Sequence, residues 1–61
     1  MVTIYFKPGD NKLLVVKAIK ETLHISLINA RDAVEVGRIK CVPSYRERVV
    51  KAIEKAGGKL T

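Results

Sequence analysis

The stretch from residues 11 to 37 constrains the fold most, because it holds two helix patterns separated only by a short turn. Asn11 can cap the first helix and Ser26 the second, since both side chains offer an oxygen to free backbone N–H groups. Gly37 stands where a left-handed residue commonly ends a helix. The predicted apolar stripes are Val15, Ala18, Ile19 and Thr22 on the first helix, and Leu27, Ala30, Ala33 and Val34 on the second.

Three short segments predict a small sheet. Residues 2–7 alternate in polarity and are rich in β-branched and aromatic side chains, which predicts a strand. Its side chains facing the helices would be Val2, Ile4 and Phe6. A second strand is predicted over residues 38–42, which Pro43 ends, and residues 59–61 can form only the stub of a third.

A third helix is predicted between the last two strands. Ser44 and Glu47 match a capping box, in which the two side chains satisfy reciprocal backbone donors. Gly57 and Gly58 end the helix, and its buried face would be Val49, Val50, Ile53 and Ala56. The element order is thus β-α-α-β-α-β. We predict a single α+β domain over residues 1–61, in two layers, with a small three-stranded sheet covered on one face by three helices.

Length, charge and cysteine content narrow the function classes. A chain of 61 residues has room for only a small core, and its net charge of +6 favours an acidic partner such as nucleic acid, an anionic membrane or an acidic protein surface. The single cysteine excludes an internal disulfide and is typical of a reducing compartment. The N-terminal residues MVTIYFK lack the features of a signal peptide, and no apolar run is long enough to span a membrane. We therefore predict a cytoplasmic location without membrane association.

Catalysis, metal binding and cofactor binding find little support. The only histidine, His24, falls in the turn between the first two helices, and Ser26 and Ser44 are explained as helix caps. His24 and Cys41 are too few soft ligands for a metal site. We predict no catalytic residue, no metal and no cofactor, and hence a chain that is not an enzyme.

A mixed stripe on the first helix is the strongest candidate site. Leu13, Val16, Lys17 and Lys20 recur at helical spacing beside the core stripe. An antiparallel second helix would bring Arg31 to the lysine side, which also includes Lys12. An apolar centre with a charged rim is the anatomy of a protein interface. In the competing interpretation, Glu21 and Glu35 pair with Lys17 and Arg31 one turn away and absorb part of the charge.

The same residues resemble the C-terminal domain of the bacterial ribosomal stalk protein. The resemblance runs without a gap from Asn11 to Glu35, is carried further by residues 51–59, and covers nearly the whole chain. It implies the same β-α-α-β-α-β order and a surface on the first two helices that recruits translational GTPases. The positions matching that surface are Lys12, Leu13, Val16, Lys17, Lys20 and Arg31.

The chain also departs from that family. The family's Gly-Leu-Gly-Leu-Lys turn reads His24 to Ile28 here, so both glycines and the lysine are replaced. Residues other than glycine fit poorly where the backbone needs a positive φ, so the angle between the helices is expected to differ. Met1 directly precedes the first strand, with no dimerisation domain or hinge before it. We therefore expect a free-standing copy of the domain.

Two alternatives remain open. The first is a small RNA-binding domain that uses residues around the second strand and the start of the third helix, namely Arg38, Lys40, Tyr45, Arg46 and Arg48. The second is a regulator or inhibitor that uses the stalk-like surface on another host protein. The oligomeric state is left open, since the short last strand exposes a sheet edge.

Overall fold

The computed structural model describes residues 1–61 and contains three helices and three strands. Their bounds are β1 Val2–Lys7, α1 Lys12–Leu23, α2 Leu27–Val36, β2 Arg38–Cys41, α3 Arg46–Lys55 and β3 Lys59–Leu60, with a 3-10 turn at Pro43–Tyr45 before α3. The predicted element order and the α+β class are confirmed. Each helix falls short of the length and apolarity that crossing a bilayer requires.

The first strand in sequence is the central strand of the sheet. The strand order is β2-β1-β3, and β1 is antiparallel to both neighbours. The register with β2 runs from Val2 opposite Cys41 to Tyr5 opposite Arg38. The two-residue β3 pairs only with the end of β1, where Lys59 lies opposite Lys7.

All three helices lie on one face of the sheet and enclose the core with it. Ile4 and Phe6 of β1 are buried, whereas Tyr5 between them is exposed on the opposite face, as alternation along a strand requires. The largest side chains that are fully buried are Val15, Ile19, Val49 and Ile53, which come from α1 and α3. The predicted stripes of these two helices therefore supply the centre of the core.

The predicted caps of α1 and α2 are present. The N–H of Leu14 donates to Asn11 Oδ1 at 3.3 Å, and the N–H of Asn29 donates to Ser26 Oγ at 3.2 Å. Gly37 closes α2 with φ +76°, its N–H donating to the carbonyl of Ala33 at 2.9 Å. Each bond satisfies a backbone group that the end of a helix would otherwise leave unpaired.

His24 takes the left-handed conformation that ends α1. Its φ of 54° is the only positive value at a residue other than glycine. The N–H groups of His24 and Ile25 both donate to the carbonyl of Lys20, which closes the helix. The other replaced glycine position, Ser26, is extended with φ −69°. Only one of the two substitutions in this turn therefore places a side chain on a left-handed backbone.

The predicted capping box before α3 is wrong. Ser44 lies inside the 3-10 turn, and Tyr45, at the N-cap of α3, makes no side-chain cap hydrogen bond. Pro43 occupies the first turn, where its fixed φ favours a helical start, and the N–H of Tyr45 donates to the carbonyl of Val42 at 2.9 Å. This helical run therefore begins with a backbone hydrogen bond and not with a side-chain cap. Glu47 remains in the first turn of α3, where its charge complements the helix dipole.

Two glycines connect α3 to β3, as predicted. Gly57 adopts φ +92°, and the N–H of Gly58 donates to the carbonyl of Ile53 at 2.8 Å. A Cβ at Gly58 would lie 2.7 Å from Ile53 Cγ2 and 3.0 Å from the carbonyl oxygen of Lys7. The close approach of α3 to β1 thus leaves no space for a side chain at this position.

Candidate functional site

The predicted docking stripe lies along α1, and most of it is exposed. Lys12, Lys17 and Lys20 are exposed, and Leu13 leaves 76% of its surface accessible to solvent. Leucine at such exposure in the first turn of a helix adds nothing to the core. Leu13 is therefore available as an apolar contact for another molecule.

Val16 departs from the expectation of an exposed apolar centre. Only 5% of its surface is accessible, and it belongs to the same buried cluster as Val15 and Ile19. The reason lies in the packing, because α1 is flanked by α2 on one side and by α3 on the other. A helix covered from two sides buries a wider arc than one stripe, and Val16 lies on the side of α2.

A shallow groove between α1 and α2 brings four of the six predicted residues together. Its lining is Lys12, Leu13, Val16, Arg31, Val34 and Glu35. Val16 and Val34 are both buried core residues, and Leu13 is exposed beside them. Arg31 reaches the lysine side of α1 as the antiparallel arrangement predicts. The groove is thus an apolar floor with two cations and one carboxylate at its rim.

The other two lysines extend the stripe away from this groove. Lys17 lines a second groove, between α1 and α3, together with Leu14, Glu21 and Lys55. Lys20 is exposed near the end of α1. The cations therefore surround Leu13 from more than one direction, with Lys12 and Arg31 on the α2 side and Lys17 on the α3 side.

Ile28 adds an exposed apolar side chain that periodicity did not assign to the site. It is 70% accessible and lines a hollow on α2 with Arg31, Asp32 and Glu35. Leu27, predicted to belong to the core stripe of α2, is 52% accessible instead. Both lie in the first turn of α2, whereas the buried residues of this helix, Ala30, Ala33 and Val34, come later in it. The replacement by Ile28 of a lysine of the resembling family is the sequence signal that indicates an extension of the apolar patch.

The residues of the alternative RNA-binding surface do not share one face. Arg38 and Lys40 belong to β2, whereas Arg46 and Arg48 belong to α3 on the helical side of the sheet. Tyr45 is half-buried and packs against the core, and the guanidinium carbon of Arg48 lies 5.3 Å from the centre of its ring. Arg48 of the same chain therefore lies over this ring in a cation–π arrangement.

Comparison with known proteins agrees with the resemblance seen in the sequence. The chain is 34% identical, over an alignment of 64 positions, to the large ribosomal subunit protein bL12 of Protochlamydia amoebophila (strain UWE25). The alignment covers 98% of this chain and 50% of that protein, so the chain spans about half the length of the curated relative it matches. No family model matches the chain, and no solved structure matches it.

Proposed function

We propose that this chain, which is related over nearly its whole length to the C-terminal domain of the ribosomal stalk protein bL12, is a non-enzymatic module that binds proteins. Its partner would have an acidic surface, and by the resemblance it would be a translational GTPase. The docking surface comprises Lys12, Leu13, Val16, Lys17, Lys20 and Arg31, with Ile28 at its edge. A cytoplasmic location is part of this proposal.

The exposure of Leu13 among cations is the observation that carries the proposal. A leucine that leaves 76% of its surface in water gains free energy when a partner covers it, by about 25 cal/mol for each Å² of apolar area removed from water. The buried Val16 and Val34 form a firm apolar floor beside it. Anchors of this kind, inside a polar rim, contribute most of the energy of many interfaces.

The cations add speed and orientation to the encounter. Lys12, Lys17, Lys20 and Arg31 are all exposed, so their attraction to an acidic surface acts before contact and is screened by salt. Exposed ion pairs contribute little final affinity, typically less than about 1 kcal/mol each. We therefore expect the association rate to fall steeply with ionic strength and the dissociation rate to depend mainly on Leu13.

A pull-down from bacterial lysate with the tagged chain tests this function. The wild type is compared with the Lys17→Glu/Lys20→Glu double variant, each with and without nuclease. The expected result is nuclease-resistant capture of elongation or initiation factors by the wild type and its loss in the variant. The matched control Arg46→Glu/Lys51→Glu makes the same change of charge on exposed positions of α3 and should capture the factors normally.

The other outcomes of the pull-down discriminate between functions. Factor capture that persists in Lys17→Glu/Lys20→Glu would show that this surface does not bind the factors. Recovery that disappears with nuclease would transfer the function to RNA. A different, nuclease-resistant protein lost in the same variant would retain the surface and favour a regulator or inhibitor acting on that protein.

A further inference from the structure

The face of the sheet that carries no helix has a distinct composition. Its side chains follow from the register, because directly opposed residues of antiparallel strands point to the same side. Tyr5 lies opposite Arg38, Thr3 opposite Lys40, and Lys7 opposite Lys59. We call these six residues the open face. They form one surface on the side of the molecule opposite the helices.

Charge is segregated between the open face and the helices. All four cations of the strands, Lys7, Arg38, Lys40 and Lys59, belong to the open face, and the strands contain no carboxylate. Five of the six carboxylates of the chain lie on the helices, where they offset five of the eight helical lysines and arginines. The remaining one, Asp10, lines a hollow with Lys7 and Lys59 at one end of the sheet. Asp10 is thus close to Lys7 and Lys59, whereas Arg38 and Lys40 lie further along the sheet from it.

Tyr5 gives the open face an accessible aromatic ring. It occupies the central strand, and 55% of its surface is exposed. The other two aromatic residues are not available in this way, since Phe6 is in the core and Tyr45 is covered by Arg48. A flat ring on a sheet, with cations on both neighbouring strands, is an arrangement suited to stacking a base while its phosphates are neutralised.

We propose that the open face binds single-stranded nucleic acid, with a base stacked on Tyr5 and the phosphates held by Arg38, Lys40, Lys7 and Lys59. A single strand is favoured over a duplex because only an unstacked base can offer its face to the ring. A second copy of the chain is disfavoured because two faces bearing only positive charge repel each other. This site is separate from the docking surface on α1 and α2 and does not depend on the function proposed for it.

Fluorescence anisotropy with a labelled oligouridylate of about 12 nucleotides tests the proposal, since single-strand sites span about 4–16 nucleotides. The charge variant Arg38→Gln/Lys40→Gln is compared with Lys17→Gln/Lys20→Gln, which removes the same charge from the opposite side. Between about 50 and 200 mM KCl, loss of two phosphate contacts should reduce the slope of log K against log salt by about 1.4. The α1 variant should retain the wild-type slope. Equal losses in the two variants would overturn the site, since they would indicate attraction to net charge alone.

Substitutions of Tyr5 test the stacking step separately. Tyr5→Leu should weaken binding by about tenfold without changing the salt slope, and Tyr5→Phe should bind like the wild type. Thermal melts followed by circular dichroism verify that each variant is folded.

Unchanged binding by Tyr5→Leu, or equal affinity for a duplex of the same length, would overturn the proposal. Equal binding of oligouridylate and oligothymidylate would support it as a site for either nucleic acid. Binding of anionic vesicles with no binding of the oligonucleotides would overturn it in favour of a membrane surface.

Discussion

Neighbouring residues on α1 differ sharply in what they contribute, and Leu13 and Val16 show this most directly. Val16→Ala removes two buried methyl groups and leaves a cavity, so we expect a loss of about 2 kcal/mol in the free energy of unfolding. Leu13→Ala removes an exposed side chain and should change stability by less than about 0.5 kcal/mol. Urea denaturation followed by circular dichroism measures both. A Leu13→Ala loss as large as that of Val16→Ala would contradict the assignment of Leu13 to the surface.

The left-handed backbone at His24 predicts a stabilising substitution. His24→Gly removes a side chain from a conformation with φ 54°, while glycine also makes the unfolded chain more flexible. We expect a net gain of up to about 1 kcal/mol, or an increase of about 4–8 °C in Tm for each kcal/mol in a domain of this size.

The matched control for His24→Gly is Ser26→Gly, at the other position where the resembling family has glycine. Ser26 has an ordinary φ of −69° and caps α2, so its replacement should cost a few tenths of a kcal/mol. Thermal melts of the two variants should therefore shift in opposite directions. An increase in Tm for both would show that strain at His24 is not the cause.

At the scale of helices and strands, two serines with the same predicted role differ. Ser26 accepts a hydrogen bond from the N–H of Asn29, so Ser26→Ala should cost about 1 kcal/mol. Ser44 makes no cap bond, so Ser44→Ala should stay within about 0.5 kcal/mol of the wild type. Chemical denaturation of the two variants provides the comparison. A cost at Ser44 equal to that at Ser26 would restore the capping box.

The order of these elements could be predicted because each one carries a local signal. The alternation in β1, the caps Asn11 and Ser26, and the glycines after α2 and α3 act within a few residues of themselves. The start of α3 could not, because Ser44 and Glu47 have capping-box spacing whether or not Pro43 begins a helical turn before them. The burial of Val16 in the candidate site could not be predicted either, because it depends on how α2 and α3 pack against α1.

Sequence periodicity could not predict the open face, for a related reason. Tyr5, Lys7, Arg38, Lys40 and Lys59 are scattered along the sequence and meet only through the sheet register. The docking residues on α1, by contrast, follow one another at helical spacing. Local pattern therefore revealed the helical surface, and pairing between distant segments was needed to reveal the other one.

For the whole molecule, the net charge of +6 predicts that salt stabilises the fold. Like charges such as Lys7 and Lys59, directly opposite each other, repel less when the solution screens them. Raising the ionic strength from about 10 to about 100 mM should raise Tm by up to about 4 °C, equivalent to less than about 1 kcal/mol.

The Lys59→Glu variant tests the origin of this salt effect. It replaces the repulsive pair by an attractive one, so its Tm should depend less on salt than that of the wild type. Differential scanning calorimetry at two salt concentrations measures both proteins. A decrease in the Tm of the wild type on adding salt would contradict the expected repulsion.

The central position of β1 has a consequence for the order in which the chain can assemble. Its pairing partners are Arg38–Cys41 and Lys59–Leu60. The backbone N–H and C=O groups of β1 therefore have no strand partners until these later segments are in place. Contacts within α1 and α2 span far fewer residues and close sooner, since short loops cost less entropy. During synthesis from the N-terminus, the helices of the docking surface can therefore meet while the sheet is still open, and Lys59–Leu60 complete it after they emerge.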